Sequence, residues 1–156
     1  MEVLTAWIAL GTVDQSNGCM RVIPGSHRRT HLPQRDTFDQ DSALTRGQEI
    51  SVAVDESQAV DLVLQAGEIS LHHLWIVHGS NANLSNIPRI GLAVRYVSTR
   101  VRQQGADDPF AMLVRGRDEH GHFRLTQRPV GNDCMAGEGL HGEALKRVYA
   151  GMAKPK

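Results

Sequence analysis

His78 and Arg89 stand eleven residues apart, and each closes or opens an apolar run within the stretch 71–96, LHHLWIVHGSNANLSNIPRIGLAVRY. A histidine at a strand end can offer a ring nitrogen to a metal. An arginine on the next strand can clamp a carboxylate with its planar fork. The two residue types together describe a site for a metal and an acidic cosubstrate. Taken singly, each has a plainer reading: His78 as a hydrogen-bonded structural residue, Arg89 as a surface arginine at a strand start. Ser80 keeps the strand parity of His78 and could bind an anion or merely satisfy a turn. Arg89 is followed at the same parity by Gly91, Ala93 and Arg95, and small residues beside an inward arginine leave room for a ligand.

The elements that must hold these residues read as strands separated by turns. Residues 69–77 alternate as one strand that delivers His78. Ser70, His72, Leu74 and Ile76 then share its face, and His73 takes the other. On that face His72 could line the pocket as a proton donor, or simply be a packed histidine. Residues 90–97 form the return strand. Upstream, residues 3–10 are a continuous apolar run, as expected of a strand covered on both faces. Because this run begins almost at Met1 with no polar lead-in, the domain is expected to be N-terminally truncated. Residues 14–18, Asp-Gln-Ser-Asn-Gly, have turn chemistry and precede a short strand at 19–23 that Pro24-Gly25 stops. Val60, Leu62 and Leu64 alternate in another strand.

Between them, residues 26–57 are polar and aperiodic, and they are expected as a loop over the barrel mouth. Beyond Arg100 the pattern weakens into a C-terminal arm, residues 100–156. Within it, 110–115 could be a short strand, and 142–152 carries Leu145, Val148 and Tyr149 on one helical face. The fold class expected is mainly β, a sandwich or jelly roll with a short C-terminal helix, forming a single partial domain over 1–156.

Bulk composition narrows the partners. Seventeen basic residues balance seventeen acidic ones, so there is no global attraction to nucleic acid or to a membrane surface. Eight histidines exceed the aromatic residues combined, a composition that suits metal or proton chemistry. Cys19 and Cys134 stand far apart and read as free thiols of a reducing compartment, which with the lack of a signal or membrane-length run makes a cytoplasmic protein the expectation.

Two separated motifs give a more specific reading. One runs Thr5-Ala6-Trp7-Ile8-Ala9-Leu10 and then Asn17-Gly18-Cys19-Met20-Arg21-Val22-Ile23-Pro24-Gly25-Ser26-His27-Arg28. The other is a Gly67-Glu68 turn, His78-Gly79-Ser80, Asn83-Leu84-Ser85 and Pro88-Arg89. In this order, over residues 3–98, they resemble the phytanoyl-CoA dioxygenase family of iron(II)/2-oxoglutarate oxygenases. The resemblance implies a double-stranded β-helix, iron(II) as cofactor, 2-oxoglutarate as cosubstrate and a small organic molecule as substrate. It implies His78 as the distal histidine of the iron site. Arg89 would bind the far carboxylate of 2-oxoglutarate, with Ser80 assisting and Trp7 lining the cosubstrate pocket. His27 would belong to a structural turn. Two histidines and one carboxylate on one face of iron leave positions for cosubstrate and oxygen, and the protein contributes placement and dryness.

The family's other two iron ligands form a His-x-Asp pair, and no His-x-Asp occurs in this chain. His141-Gly142-Glu143 and His120-Gly121-His122 imitate ligand spacing but lie in the C-terminal arm. Three readings follow: the C-terminal part of a 2-oxoglutarate-dependent hydroxylase; a non-catalytic module holding an acidic metabolite through Arg89; or a metal cupin in which His72, His78 and either His120 or His122 converge. Arg28, Arg29, Arg115 and Arg117 are available for an anionic substrate group, with solvated surface charge as their default.

Overall fold

The computed structural model describes residues 2–28, 31–39, 46–104 and 108–127, together with Gly142 and Lys146. In chain order the strands are β1 (Val3–Ala9), β2 (Met20–Val22), β3 (Gln34–Asp36), β4 (Gln48–Ile50), β5 (Val60–Asp61), β6 (Ile69–His73), β7 (His78–Ser80), β8 (Gly91–Val97), β9 (Phe110–Met112) and β10 (Arg124–Thr126). The protein is mainly β, and its strands pass back and forth between two antiparallel sheets, β6-β1-β8 and β5-β2-β7. That alternation is the winding of a jelly roll.

β1 is the middle strand of the first sheet, which explains its unbroken apolar composition. Its two faces do different work. Trp7 and Ala9 turn toward a small core of Ala9, Val13 and Cys19, with Leu64 packed beside them. The opposite face, carried by Leu4, Ala6 and Ile8, continues sideways into Ile69, Leu71, Leu92 and Tyr96. The expectation of cover on both faces is not met there. Among the described residues Leu71 is 67% exposed, Ile69 52% and Leu92 51%.

The turn at Asp14 leads from β1 toward β2. Asp14 Oδ1 accepts from the Ser16 N–H at 2.8 Å and the Ser16 hydroxyl at 2.6 Å. Asn17, 3% exposed, accepts from the Asp14 N–H and donates to the Thr12 carbonyl. Gly18 has φ +75°, and a side chain there would run into the Asn81 carbonyl, so both conformation and space require glycine.

One sequence expectation fails in an instructive way. Residues 69–77 are two strands of different sheets. β6 stops at His73, where the Ile76 N–H donates to the His73 carbonyl at 3.0 Å and the Trp75 N–H donates to His73 Nδ1 at 3.1 Å. The Val77 N–H then donates to the Ser26 hydroxyl at 2.8 Å and the Val77 carbonyl accepts from Ile23, which seats β7 beside β2. The corner holds no Gly or Pro. Its backbone groups are satisfied by a histidine ring and by a serine 51 residues away, so periodicity alone cannot reveal it.

The polar segment 26–57 contains more order than its composition suggests. A 3-10 turn spans Ser26–Arg28, and β3 pairs with β4 through an Arg35–Glu49 bridge of 3.1 Å. These strands are largely exposed, which removes the apolar alternation that marks a half-buried strand.

The chain divides into two compact units. Met1–Asp36 with Gln48–Ser98 carries both jelly-roll sheets; Thr37–Gly47 with Thr99–Lys156 forms the other. In the second unit β9 and β10 pair in parallel, and Arg124 bridges Asp108 at 3.3 Å. The expected helix at 142–152 lies outside the described residues, apart from Gly142 and Lys146, both helical. Cys134, Arg29, His141 and Glu143 also lie outside them. No helix among the described residues is long and apolar enough to cross a membrane.

Candidate functional site

Strand register sorts the candidate residues into rows on one face of β6-β1-β8. Trp7 stands opposite Ser70 on one side and Ala93 on the other. The next row is Thr5, with His72 on one side and Arg95 on the other. Ala9 faces Gly91, and Arg89 lies two residues before Gly91, just ahead of the strand rather than within it. The Arg89 guanidinium sits 5.8 Å from the centre of the Trp7 ring. A cation over an indole face is attracted by the ring quadrupole, typically by about 0.5–1 kcal/mol at exposed sites. Gly91 makes this possible, since a methyl built there would overlap the Trp7 six-membered ring. Among the described residues no carboxylate pairs with Arg89, so its fork is open to an anion.

His78 reaches the same region from the other sheet. Its ring centre is 6.0 Å from that of His72, although the single strand expected to carry both does not exist. Chain reversal at the Leu74–Trp75 corner brings the two rings together. The His78 Nδ1 lies 2.8 Å from the Ile76 carbonyl. A carbonyl can only accept, so Nδ1 carries the proton and Nε2 keeps a bare lone pair. This is the arrangement seen in metal-binding histidines, whose second nitrogen is tied to a carbonyl or carboxylate.

His73 shows the contrast. Its Nδ1 accepts from the Trp75 N–H, which puts the proton on Nε2 and makes the ring a poor ligand. The His27 ring, in the Pro24–Arg28 turn, lies 5.5 Å from that of His73 and tilted 36° to it.

Burial pushes the His72 imidazole below its usual pKa, with smaller contributions from His78 and Arg95. Its Nδ1 lies 3.3 Å from the Ser70 hydroxyl. Ser80 sits on β7 opposite Met20, exposed, and makes no hydrogen bond to Arg89 among the described residues. Cys19 is a buried free cysteine. Its thiol is pushed up by burial first, then by Asp61 and Asp14, against opposing fields from Arg89 and Arg21. Arg21 itself is taken by Asp61 at 3.1 Å and Glu56 at 3.6 Å, so its role is to join β2 and β5.

His78 fits one position of an iron(II) site by its tautomer and exposure. A full ligand set is not present: among the described residues no three His, Cys, Asp or Glu side chains converge to hold a metal. His120 and His122 stack on each other at 5.7 Å within the second unit.

What sequence reasoning did not single out is the Thr5 row. Thr5 is 7% exposed, a polar side chain buried in the middle of the site face. Alternation did place Arg95 at the parity of Arg89, but only the β1–β8 register shows that it shares a row with His72.

The chain is similar to known proteins in sequence and in fold. Residues 1–91 match the family model described as phytanoyl-CoA dioxygenase (PhyH). Phytanoyl-CoA dioxygenase 1 of Oryza sativa subsp. japonica is 31% identical over 95 residues, which cover 60% of this chain and 32% of that protein. Among solved structures, the non-heme monooxygenase ThoJ in its apo form superposes with a TM-score of 0.78 at 33% identity, over 97% of this chain and 53% of that one. EvdO2 from Micromonospora carbonacea var. aurantiaca, complexed with 2-oxoglutarate, gives a TM-score of 0.55 at 29% identity, over 62% and 38% of the two chains. The chain's matches span 24% to 32% of the length of the first curated relatives.

Proposed function

The chain belongs to the phytanoyl-CoA dioxygenase family of 2-oxoglutarate-dependent oxygenases, and from that membership we propose that it is the cosubstrate-binding part of an iron(II)/2-oxoglutarate dioxygenase that hydroxylates a small organic molecule. The observation that carries the proposal is Arg89, without a carboxylate partner among the described residues, placed over Trp7 on the face where His72 meets the metal-ready His78. In this reading Arg89 binds the far carboxylate of 2-oxoglutarate by a charge-assisted fork. Trp7 fixes the guanidinium plane, and Ser80 donates its hydroxyl to the same anion. His78 offers Nε2 to iron, and His72 lines the substrate side. Bound iron supplies the oxidative decarboxylation chemistry. The chain's own residues bind, orient and shield.

The remaining iron ligands are not among the described residues, and we assign them to polypeptide outside this sequence, which its relatives' greater length supports. The reducing cytoplasm suits the free Cys19 thiol. Reading the gene upstream of the Met1 codon tests the assignment: in-frame codons for His-x-Asp are expected, and an in-frame stop without them contradicts it.

A second reading has one observation in its favour, the lack of three converging ligands among the described residues. A non-catalytic module would hold an acidic metabolite through Arg89 alone. It requires that 2-oxoglutarate binding be indifferent to divalent metal and to loss of the His78 imidazole.

A further inference from the structure

The row Arg95–Thr5–His72 contains a second cation that the cosubstrate does not use. Arg95 lies four strand residues beyond Gly91, about 13 Å along β8 at the usual strand rise, and Arg89 precedes Gly91 by two more residues. One small diacid clamped at Arg89 cannot also be the partner of Arg95. Across the sheet, Arg95 and His72 flank Thr5 on neighbouring strands, about 10 Å apart at the usual interstrand spacing. A guanidinium on its long stem can cover much of that span.

By register Arg95 stands on the same face of the sheet as Thr5 and Ala9, where it is exposed, and Ala93 and Gly91 leave space beside it. Among the described residues it has no carboxylate partner, whereas Arg21 on the other sheet has two.

We propose that Arg95 anchors an oxyanion of the substrate, a carboxylate or a phosphate, so that the substrate lies along the Thr5 row with its uncharged part beside His72 and His78. The class of substrate is therefore an anionic small molecule, oriented by its charged end. This rests on the cosubstrate reading of Arg89, and the two can fail separately. His72, across Thr5 on the same row, is the neighbour that such a substrate would meet next.

The test uses the 156-residue chain saturated with 2-oxoglutarate and titrated by calorimetry with inorganic phosphate in one arm and acetate in another. The arm with the tighter binding names the head group. Arg95→Gln should weaken that arm about tenfold, the scale of one charge-assisted contact, and leave 2-oxoglutarate affinity unchanged. Arg89→Gln should do the reverse. Oxyanion binding that is absent, or untouched by Arg95→Gln, overturns the inference while the cosubstrate site stands. An equal loss of 2-oxoglutarate in Arg95→Gln also overturns it, since Arg95 would then belong to the cosubstrate clamp. Failure of the unmodified chain to bind 2-oxoglutarate at all overturns the underlying reading instead.

Should Arg95→Gln not fold, the side-chain Nε–H resonances of the unmodified chain decide the matter. Phosphate or acetate should shift Arg95, and 2-oxoglutarate should shift Arg89. No shift at Arg95 contradicts the proposal.

Discussion

A methyl group at Gly91 would overlap the Trp7 indole, and the Trp7 indole carries Arg89, so one absent side chain sets the position of the anion clamp. Gly91→Ala is expected to destabilise the chain by roughly 1–3 kcal/mol, the usual cost of overpacking. It should also weaken 2-oxoglutarate binding, and Trp7→Phe in the same chain should restore part of the stability. Thermal melts of the single and double variants check this. His78 makes a sharper residue-scale prediction. Long-range proton–nitrogen NMR should find the Nδ1–H tautomer in the neutral ring, because the Ile76 carbonyl accepts from Nδ1. A proton on Nε2 would remove the case for His78 as a ligand. At this scale the identities of His78, Arg89 and Trp7 are legible in the chain, since types and spacing mark them. Their tautomers and stacking are not, because a corner turn and a neighbouring strand impose them.

The elements divide in the same way. β1, β2, β8 and the Asp14 turn are visible as apolar runs and turn residues, whereas the break between β6 and β7 is hidden by continuous alternation. β3 and β4 are hidden for the opposite reason, having no buried face to pattern. The Asp14 turn can be probed through its charge. Hydrogen bonds from Ser16, side chain first and backbone next, hold the Asp14 carboxyl below its ordinary range. A carboxylate depressed in the folded state stabilises the fold above its unfolded pKa of about 3.9. That contribution disappears as pH falls through the lower, folded value. Ser16→Ala should therefore lower the urea midpoint at pH 7, and the difference should shrink as pH falls below 4 toward the folded pKa. A difference that stays constant with pH would show that the Asp14–Ser16 contact contributes no charge-dependent stability.

Across the whole molecule, the outer face of β6-β1-β8 is the feature that composition conceals. Ile69, Leu71, Leu92 and Tyr96 make a contiguous apolar surface, open among the described residues. Patches of this kind drive association when left uncovered. The purified chain should bind a hydrophobic dye and self-associate, and Leu71→Thr with Leu92→Thr should reduce both, as read by dye fluorescence and size-exclusion chromatography. A dye-silent monomer would mean that the face is covered. The jelly-roll class was readable from strand spacing and the family motifs, while the division into two units was not, because the joining segments carry no linker-like composition. The central claim is that this one face holds 2-oxoglutarate through Arg89 next to a metal-ready His78. Calorimetric titration of 2-oxoglutarate into the 156-residue chain, with manganese(II) and then with chelator, tests it most directly. The account expects saturable one-site binding that Arg89→Gln weakens about tenfold and that metal strengthens only while His78 is present. Absence of binding, or binding indifferent to Arg89→Gln, would contradict it.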